Sequence, residues 1–365
     1  MSSDGSQTTA IPLHPDDITP GWLNGVLGPV LSGASIDSVT VIPVGTGQTG
    51  ATYRVTASYT QRSGLLPPSF VVKLPSQDPE VRQRVALGYR SEHAFYTEVG
   101  ATLAVPTAHC YHIDLANDGA DFVMVMEDLA PAVQGDQING CSTGQASLAV
   151  EALAGLHGPR WCDPAWLDFG GTTMPRADAD IARGMGDLAR FAADTTVERL
   201  GDRMSSDDRS TIDEAVSWVP AWLLLEPERY ALLHGDYRLD NLLFDPGCSR
   251  VTVVDWQTLT VGLPARDLSY FIATSFGAAD RSSVEGDLVT AYCDALRSHG
   301  VVDYSIEDCW DDYRVGMLQV PLLTMLGFAF SSATERGDDM VLAMLTRGCA
   351  AIRELATLDR IEQRS

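Results

Sequence analysis

The stretch "LLHGDYRLDNLLFDPGCSRVTVVDWQ" places His234, Gly235 and Asp236 on one loop, Asn241 five residues after the aspartate, and Asp255 at the end of an apolar run. A loop carboxylate such as Asp236 can accept a hydrogen bond from a hydroxyl group. The amide oxygen of Asn241 and the carboxylate of Asp255, across a hairpin, can share a hard divalent cation in oxygen coordination. This donor set suits phosphoryl transfer from ATP, which needs an acceptor oxygen held in line and Mg2+ to neutralise phosphate charge. An isolated H-x-D arises easily by chance. The ordered series H-G-D, N, hairpin, V-V-D does not.

A second cluster lies earlier, in "VGTGQTGATYRV", where Gly45, Gly47 and Gly50 form a G-x-G-x-x-G. In a dinucleotide-binding unit such glycines open a helix. Here Tyr53, Val55, Ala57 and Tyr59 alternate with polar residues, which is the period of a strand. A glycine loop between two strands can lay backbone N–H groups over phosphates, and a plain β-turn is the alternative. No G-K-[ST] follows, so a P-loop is excluded. Shortly afterwards "SFVVKLP" carries Lys73, the only lysine in 365 residues; the other basic residues are all arginine.

Around these residues the chain changes character near residue 130. Before it, "DSVTVIPV", "ATYRVTASYT", "SFVVKLP", "TAHCYHIDL" and "DFVMVME" read as strands, with one helix over 78–100. After the connector "EDLAPAVQGDQINGCSTG" the pattern predicts helices near 144–158, 177–200, 207–225, 265–276, 281–299, 305–329 and 337–358. Only "RYALLHGD", "NLLF" and "RVTVVDW" interrupt them, with "FDPGCSR" as a hairpin turn. "HCYH" at 109–112 falls inside a strand-like run, where its histidines would face opposite sides, so it reads as ordinary strand residues and not as a zinc site.

With 45% hydrophobic residues and a formal charge of −24, the composition is that of a globular protein unsuited to nucleic acid or anionic membranes. Apolar runs such as "VPLLTMLGFAF" are too short for a membrane span, so no membrane insertion is expected. The start has neither a basic segment nor an apolar core of a secretory signal, and seven scattered cysteines form no C-x-x-C pair. A cytoplasmic address with reduced thiols is the expectation.

The glycine loop, "VVKLP", "SEHAFY", "VMVMEDL", "LAGLHGPRW", "HGDYRLDN", "VVDWQ" and "GLPARDLSYFIATS" together resemble the aminoglycoside phosphotransferase and choline kinase group of small-molecule kinases, with motifs most similar to ecdysteroid kinase-like proteins. The resemblance implies an α+β, bilobal, protein-kinase-like fold. A small N-terminal β-sheet lobe plus helix (1–128) would bind nucleotide, and a larger, mostly helical C-terminal lobe (129–365) would carry catalysis and acceptor binding. It implies ATP and Mg2+ as cofactors, with Asp236 as the catalytic base and Asn241 and Asp255 as metal ligands. Lys73 would contact the phosphates and pair with Glu92, Glu98 being the alternative. Gly45, Gly47 and Gly50 would cover the phosphates, and backbone near Met126, Glu127 and Leu129 would meet the adenine. Asp267 would brace the catalytic loop. Arg238 reads either as a phosphate contact or as a surface arginine, and His157 as a packed helix-end residue.

Trp256 and Gln257 follow Asp255 where protein kinases have Phe-Gly, and Asp267 comes only twelve positions after Asp255. That spacing favours a small-molecule hydroxyl acceptor over a protein. Trp218, Trp222, Trp310, Tyr313, Met317 and Phe328 read as core, and would suit an apolar or sterol-like alcohol if they lined the site. The acidic "IEDCWDD" (Asp308, Asp311, Asp312) could instead meet an aminoglycoside or amino sugar. A nucleotide-binding pseudokinase is the reading from another class, although the chain keeps the base, the lysine and the metal carboxylate.

Overall fold

The computed structural model describes residues 10–44, 50–61, 66–225, 228–331 and 333–365. The chain divides into two units, one of Met1–Glu98 with Ala108–Ala130 and the other of Val99–Thr107 with Pro131–Ser365.

In the first unit, β1 (Ile36–Pro43), β2 (Gly50–Tyr59), β3 (Ser69–Pro75), β4 (Cys110–Ala116) and β5 (Asp121–Glu127) form an antiparallel sheet in the order β1-β2-β3-β5-β4. Strand alternation sorts the side chains. Phe70, Val72 and Leu74 of β3 join Val55, Val123 and Val125 in one apolar layer, while Phe122 and Met124 belong to a second. Lys73 pairs in register with Met124. The first layer is covered by α1 (Pro20–Val26) and α2 (Gly28–Leu31), which bury Trp22, Leu23 and Leu31. Helical periodicity is weak there because Gly21, Gly25, Gly28 and Pro29 interrupt it. The start signal is nevertheless present: Thr19 accepts the Trp22 N–H at 3.2 Å, with Pro20 at the first helical position.

The helix expected over 78–100 is two helices, α3 (Pro79–Arg84) and α4 (Ala86–Ala94), followed by a π-helical turn over Phe95–Val99. Asp78 caps α3 by accepting the Glu80 N–H at 2.8 Å. Tyr89 fixes α4 separately: its ring stacks on Phe122 at 5.0 Å, and its hydroxyl accepts the Ser76 N–H at 2.9 Å. Val85 (φ −98°, ψ 5°) takes up the mismatch between the two.

The second unit carries the short strands β6 (Val133–Gln134), β7 (Ala231–Leu233), β8 (Leu242–Phe244), β9 (Val251–Val253) and β10 (Thr260–Gly262). They form two antiparallel pieces, β6-β8-β9 and β7-β10. Its helices are α5 (Thr143–His157), α6 (Ala179–Leu200), α7 (Ser206–Leu224), α8 (Ala265–Ser275), α9 (Ala278–Ser298), α10 (Ile306–Gly316), α11 (Gln319–Ala329), α12 (Glu335–Glu354) and α13 (Thr357–Arg364). The helix expected over 305–329 is thus α10 and α11. Pro321 has no N–H to return to the Met317 carbonyl, and its ring would crowd that oxygen, so the chain turns at Met317–Leu318. The expected helix over 337–358 likewise ends at Glu354, where Ala356 adopts φ +49° before α13. No described helix is long and apolar enough to cross a membrane.

Helix α8 is buried along almost its whole length and packs closely on α10. A Cβ on Gly316 would lie 2.4 Å from the Ser269 hydroxyl and 2.8 Å from the Ala265 carbonyl. Gly316→Ala should therefore push the two helices apart and cost about 1–3 kcal/mol. Urea unfolding should show a lower midpoint with an unchanged slope; an unaltered midpoint would mean that this contact is not tight.

Candidate active site

The loop after β7 is shaped by one glycine and one carboxylate. Gly235 has φ +83°, and a Cβ there would stand 2.1 Å from the Thr258 carbonyl, so no side chain fits. Asp267, fully buried at the start of α8, accepts the His234 N–H at 2.7 Å and the Gly235 N–H at 3.1 Å, one on each oxygen. Backbone donors that would be costly to bury unpaired are thereby satisfied by a charge. Behind Asp267 sits His157, the last residue of α5, with Nε2 3.5 Å from the carboxylate and Nδ1 2.8 Å from the Tyr292 hydroxyl. It is a packed core residue that backs the loop anchor.

His234 laces this loop to the one carrying Asp255. Its Nε2 lies 3.1 Å from the Val254 carbonyl and its Nδ1 accepts the Asp236 N–H at 3.3 Å, which the neutral Nε2–H tautomer satisfies together. The Val254 N–H in turn donates to the Asn241 carbonyl at 3.0 Å. Asp255 itself adopts φ +69°, a left-handed conformation that costs a non-glycine residue about 1 kcal/mol or more. The two bonds on the Val254 peptide groups fix the backbone leading into it.

The Asp236 carboxylate is held by three side chains. Arg238 Nε donates to both oxygens at 3.0 Å, the Tyr270 hydroxyl donates to Oδ1 at 3.1 Å, and Asn241 Nδ2 donates to Oδ2 at 3.0 Å. Asn241 Nδ2 also reaches the Asp236 carbonyl at 2.8 Å. Both bonds use the amide nitrogen, which leaves the amide oxygen of Asn241 without a hydrogen-bond donor among the described residues. Asn241 and Asp255 are oxygen ligands of the kind a hard cation takes, and Mg2+ characteristically uses one or two protein ligands plus phosphate and water. The residues therefore fit Mg2+ without forming a closed protein cage.

Tyr270 and Asp240 are partners that motif reasoning did not single out. Tyr270 lies three residues after Asp267 on α8, so one helix grips both the backbone of the loop and its carboxylate. Burial first, and then the charge of Asp236, push the Tyr270 phenol well above its ordinary range, so it stays a neutral donor. The one available signal was the i, i+3 spacing of Asp267 and Tyr270 on one helix. Arg238 is no free surface arginine: burial works against its charge, but Asp236 and Asp240 outweigh it and hold its pKa well above the usual value.

In the first unit, Lys73 Nζ lies 2.7 Å from Glu92 Oε2, with both residues buried. Tyr89, one turn before Glu92 on α4, ties that helix to β5 and so carries the glutamate to the lysine. Glu98 is exposed in the π-helical turn. Gly50 opens β2 where a Cβ would lie 3.1 Å from the Leu74 carbonyl and 3.7 Å from the Lys73 stem. Gly45 and Gly47 lie outside the described residues. Met126 and Glu127 end β5 and Leu129 follows, half-buried. Asp128 between them accepts Arg54 Nε at 2.7 Å, the Ser69 hydroxyl at 2.7 Å and the Ala130 N–H at 3.1 Å, fixing this backbone to β2 and β3.

A model of the phosphotransferase enzyme family (APH) matches residues 40–302, which spans every element just described. The chain belongs to the phosphotransferase enzyme family. Among solved structures, this family member is similar to an ethanolamine kinase of Plasmodium vivax, with a TM-score of 0.55 and 13% identity over 90% of this chain and 86% of the other. It is also similar to a choline kinase of Cryptosporidium parvum, with a TM-score of 0.53 and 11% identity over 88% and 91%. At these identities the likeness is one of fold. In sequence, this phosphotransferase is 30% identical over 192 residues to acyl-CoA dehydrogenase family member 11 of Gallus gallus, a stretch of 51% of this chain and 22% of that protein. The aligned part is thus about a fifth of the length of that relative.

Lys73→Arg keeps the charge but replaces a compact ammonium with a wide, forked guanidinium. Shifting a bound phosphate by about an ångström can cost on the order of 10²-fold in rate. The expected result is a steep fall in kcat with little change in Tm; near-normal kcat would remove the special role given to this lysine.

Proposed function

We propose that this phosphotransferase is an ATP- and Mg2+-dependent kinase that phosphorylates a hydroxyl group of a small molecule. The observation that carries the reading is the set of donors on Asp236, an ionisable carboxylate oriented by Asn241 and Tyr270 on a loop anchored by Asp267. Asp236 accepts the hydrogen bond of the acceptor hydroxyl and orients its oxygen toward the γ-phosphorus. A bond forms from that oxygen to phosphorus, the bond from phosphorus to the β,γ-bridging oxygen breaks, and ADP leaves with the electron pair. The hydroxyl proton passes to Asp236. In a loose transition state the orientation matters more than early proton removal. Asn241 and Asp255 would hold Mg2+, which supplies charge neutralisation on the phosphates. In the other unit Lys73, set by Glu92, would take the α- and β-phosphates, the Gly45–Gly50 loop would cover them, and backbone of Met126, Glu127 and Leu129 would meet the adenine edge.

Two of the acceptor arguments lose force against the structure. Trp222, Tyr313, Met317 and Phe328 are buried core residues, so they do not argue for a sterol-like alcohol. The acidic stretch is also committed internally. Asp312 accepts Arg229 at 2.9 Å, Tyr304 at 3.0 Å and Arg364 at 3.0 Å, Asp311 binds Arg360 and Arg364, and Asp308 caps α10 with Ser305. These carboxylates are not waiting for the ammonium groups of an aminoglycoside. The name of the Gallus gallus relative, of which 22% is matched, adds acyl-CoAs that carry a hydroxyl to the acceptors to try.

The test is acceptor-dependent ADP release with Mg-ATP across hydroxyacyl-CoAs, hydroxylated sterols, aminoglycosides, amino sugars and choline. Asp236→Asn should lower transfer to the best acceptor by about 10²- to 10⁴-fold while ATP affinity stays close to wild type. Transfer that survives this change would refute the base assignment. Tight ATP binding with turnover of no acceptor would favour a pseudokinase.

A further inference from the structure

The Asp236 carboxylate is saturated. A carboxylate offers about four lone-pair positions, and here the Tyr270 hydroxyl takes one on Oδ1, Asn241 Nδ2 takes one on Oδ2, and the single Arg238 Nε–H bridges both oxygens and covers the edge between them. An acceptor hydroxyl cannot bind this carboxylate until one donor leaves. Tyr270 is buried in α8, and Asn241 is buried and fastened a second time through the Asp236 carbonyl. Arg238 differs from both. Its side chain keeps 19% of its surface exposed. Nη1 already has a second seat on Asp240 Oδ2 at 3.0 Å, beside Met340 Sδ at 3.3 Å, and Nη2 makes no hydrogen bond among the described residues.

The second seat is itself prepared. Asp240 is 8% exposed and accepts Arg336 Nη2 at 3.3 Å from the first turn of α12 and the Gln137 N–H at 3.3 Å from the connector. Two guanidinium groups therefore share one nearly buried carboxylate, so Asp240 keeps a partner in Arg336 while Arg238 pivots.

We propose that Arg238 is a displaceable cap on the catalytic base. It closes Asp236 while no acceptor is bound, then swings on its Asp240 contact so that Nε and Nη2 meet oxygens of the phosphoryl group in transfer. Asp240 and Arg336 act as its positioning residues. The movement frees one lone pair on each Asp236 oxygen for the acceptor hydroxyl. On the kinase reading, the same closure would keep the base from activating water while no acceptor is bound. The inference rests on the kinase reading above.

The experiment compares two rates in wild type, Arg238→Gln and Arg238→Lys: ADP release from Mg-ATP alone, and transfer to the best acceptor of the panel. Loss of the cap should raise the ratio of hydrolysis to transfer by about tenfold in Arg238→Gln, with partial recovery in Arg238→Lys, whose ammonium can still reach Asp236. A residue that only supports the fold would lower both rates together, and an unchanged ratio overturns the proposal. A second readout does not depend on turnover. The Arg238 Nε–H signal in NMR, assigned by its absence in Arg238→Lys, should be protected from exchange in the free protein and in the complex with Mg-ADP and aluminium fluoride, and should shift when the best acceptor of the panel is added to that complex. A signal that is unprotected without acceptor, or that a turned-over acceptor leaves unchanged, also overturns it. If no acceptor is turned over while the signal stays protected, it is the kinase reading that fails and not the cap.

Discussion

A single carboxylate, that of Asp267, sets the geometry on which the candidate site depends. It takes two consecutive backbone N–H groups, of His234 and Gly235, into a fully buried position where neither could find water. The turn this creates tolerates only glycine at 235 and aims the next residue, Asp236, at the phenol of Tyr270 on the same helix. From that turn, His234 reaches the carbonyl before Asp255, and Asn241 reaches back to Asp236. Each of these candidate-site residues is thus positioned by a chain of bonds that begins at the start of α8. The close packing of α8 on α10 through Gly316 is what gives that helix a fixed place.

Much of this was legible in the sequence because the chemistry constrains residue types at short spacing. The H-G-D, N and V-V-D groups lie within about twenty residues on either side of one hairpin, and the strands between them alternate or run apolar as strands must. The strands of the first unit were equally plain: β2 alternates apolar and polar residues, while β3 and β5, inside the sheet, run mostly apolar. What stayed hidden depends on distant partners. Nothing near Tyr270 in sequence says that its hydroxyl meets Asp236, 34 residues away. Arg238 could be read either way because its partner Asp240 is itself defined by Arg336, 96 residues on. Helix breaks were missed where a local event, the Pro321 ring or the joint at Val85, overrode a continuous apolar pattern.

The solitary lysine follows the same logic. Arginine serves at every other basic position, in ion pairs such as Arg229 with Asp312 and Arg54 with Asp128, where a planar fork meets a carboxylate in two bonds. Lys73 instead sits on a strand, buried, with its stem running past Gly50 and its ammonium against Glu92. Breaking a buried ion pair by removing one member typically costs about 3–5 kcal/mol.

The central claim is that Asp267 acts by positioning the loop that carries Asp236. The most direct measurement is of Asp267→Asn, reading hydrogen exchange at the His234 and Gly235 amides alongside kcat and ATP affinity. An amide side chain has one acceptor oxygen where the carboxylate had two, so one of the two amides loses its partner. The account predicts faster exchange at one or both amides and a fall in kcat of about 10²-fold, with ATP affinity nearly unchanged. Protected amides with a kcat close to wild type would contradict it.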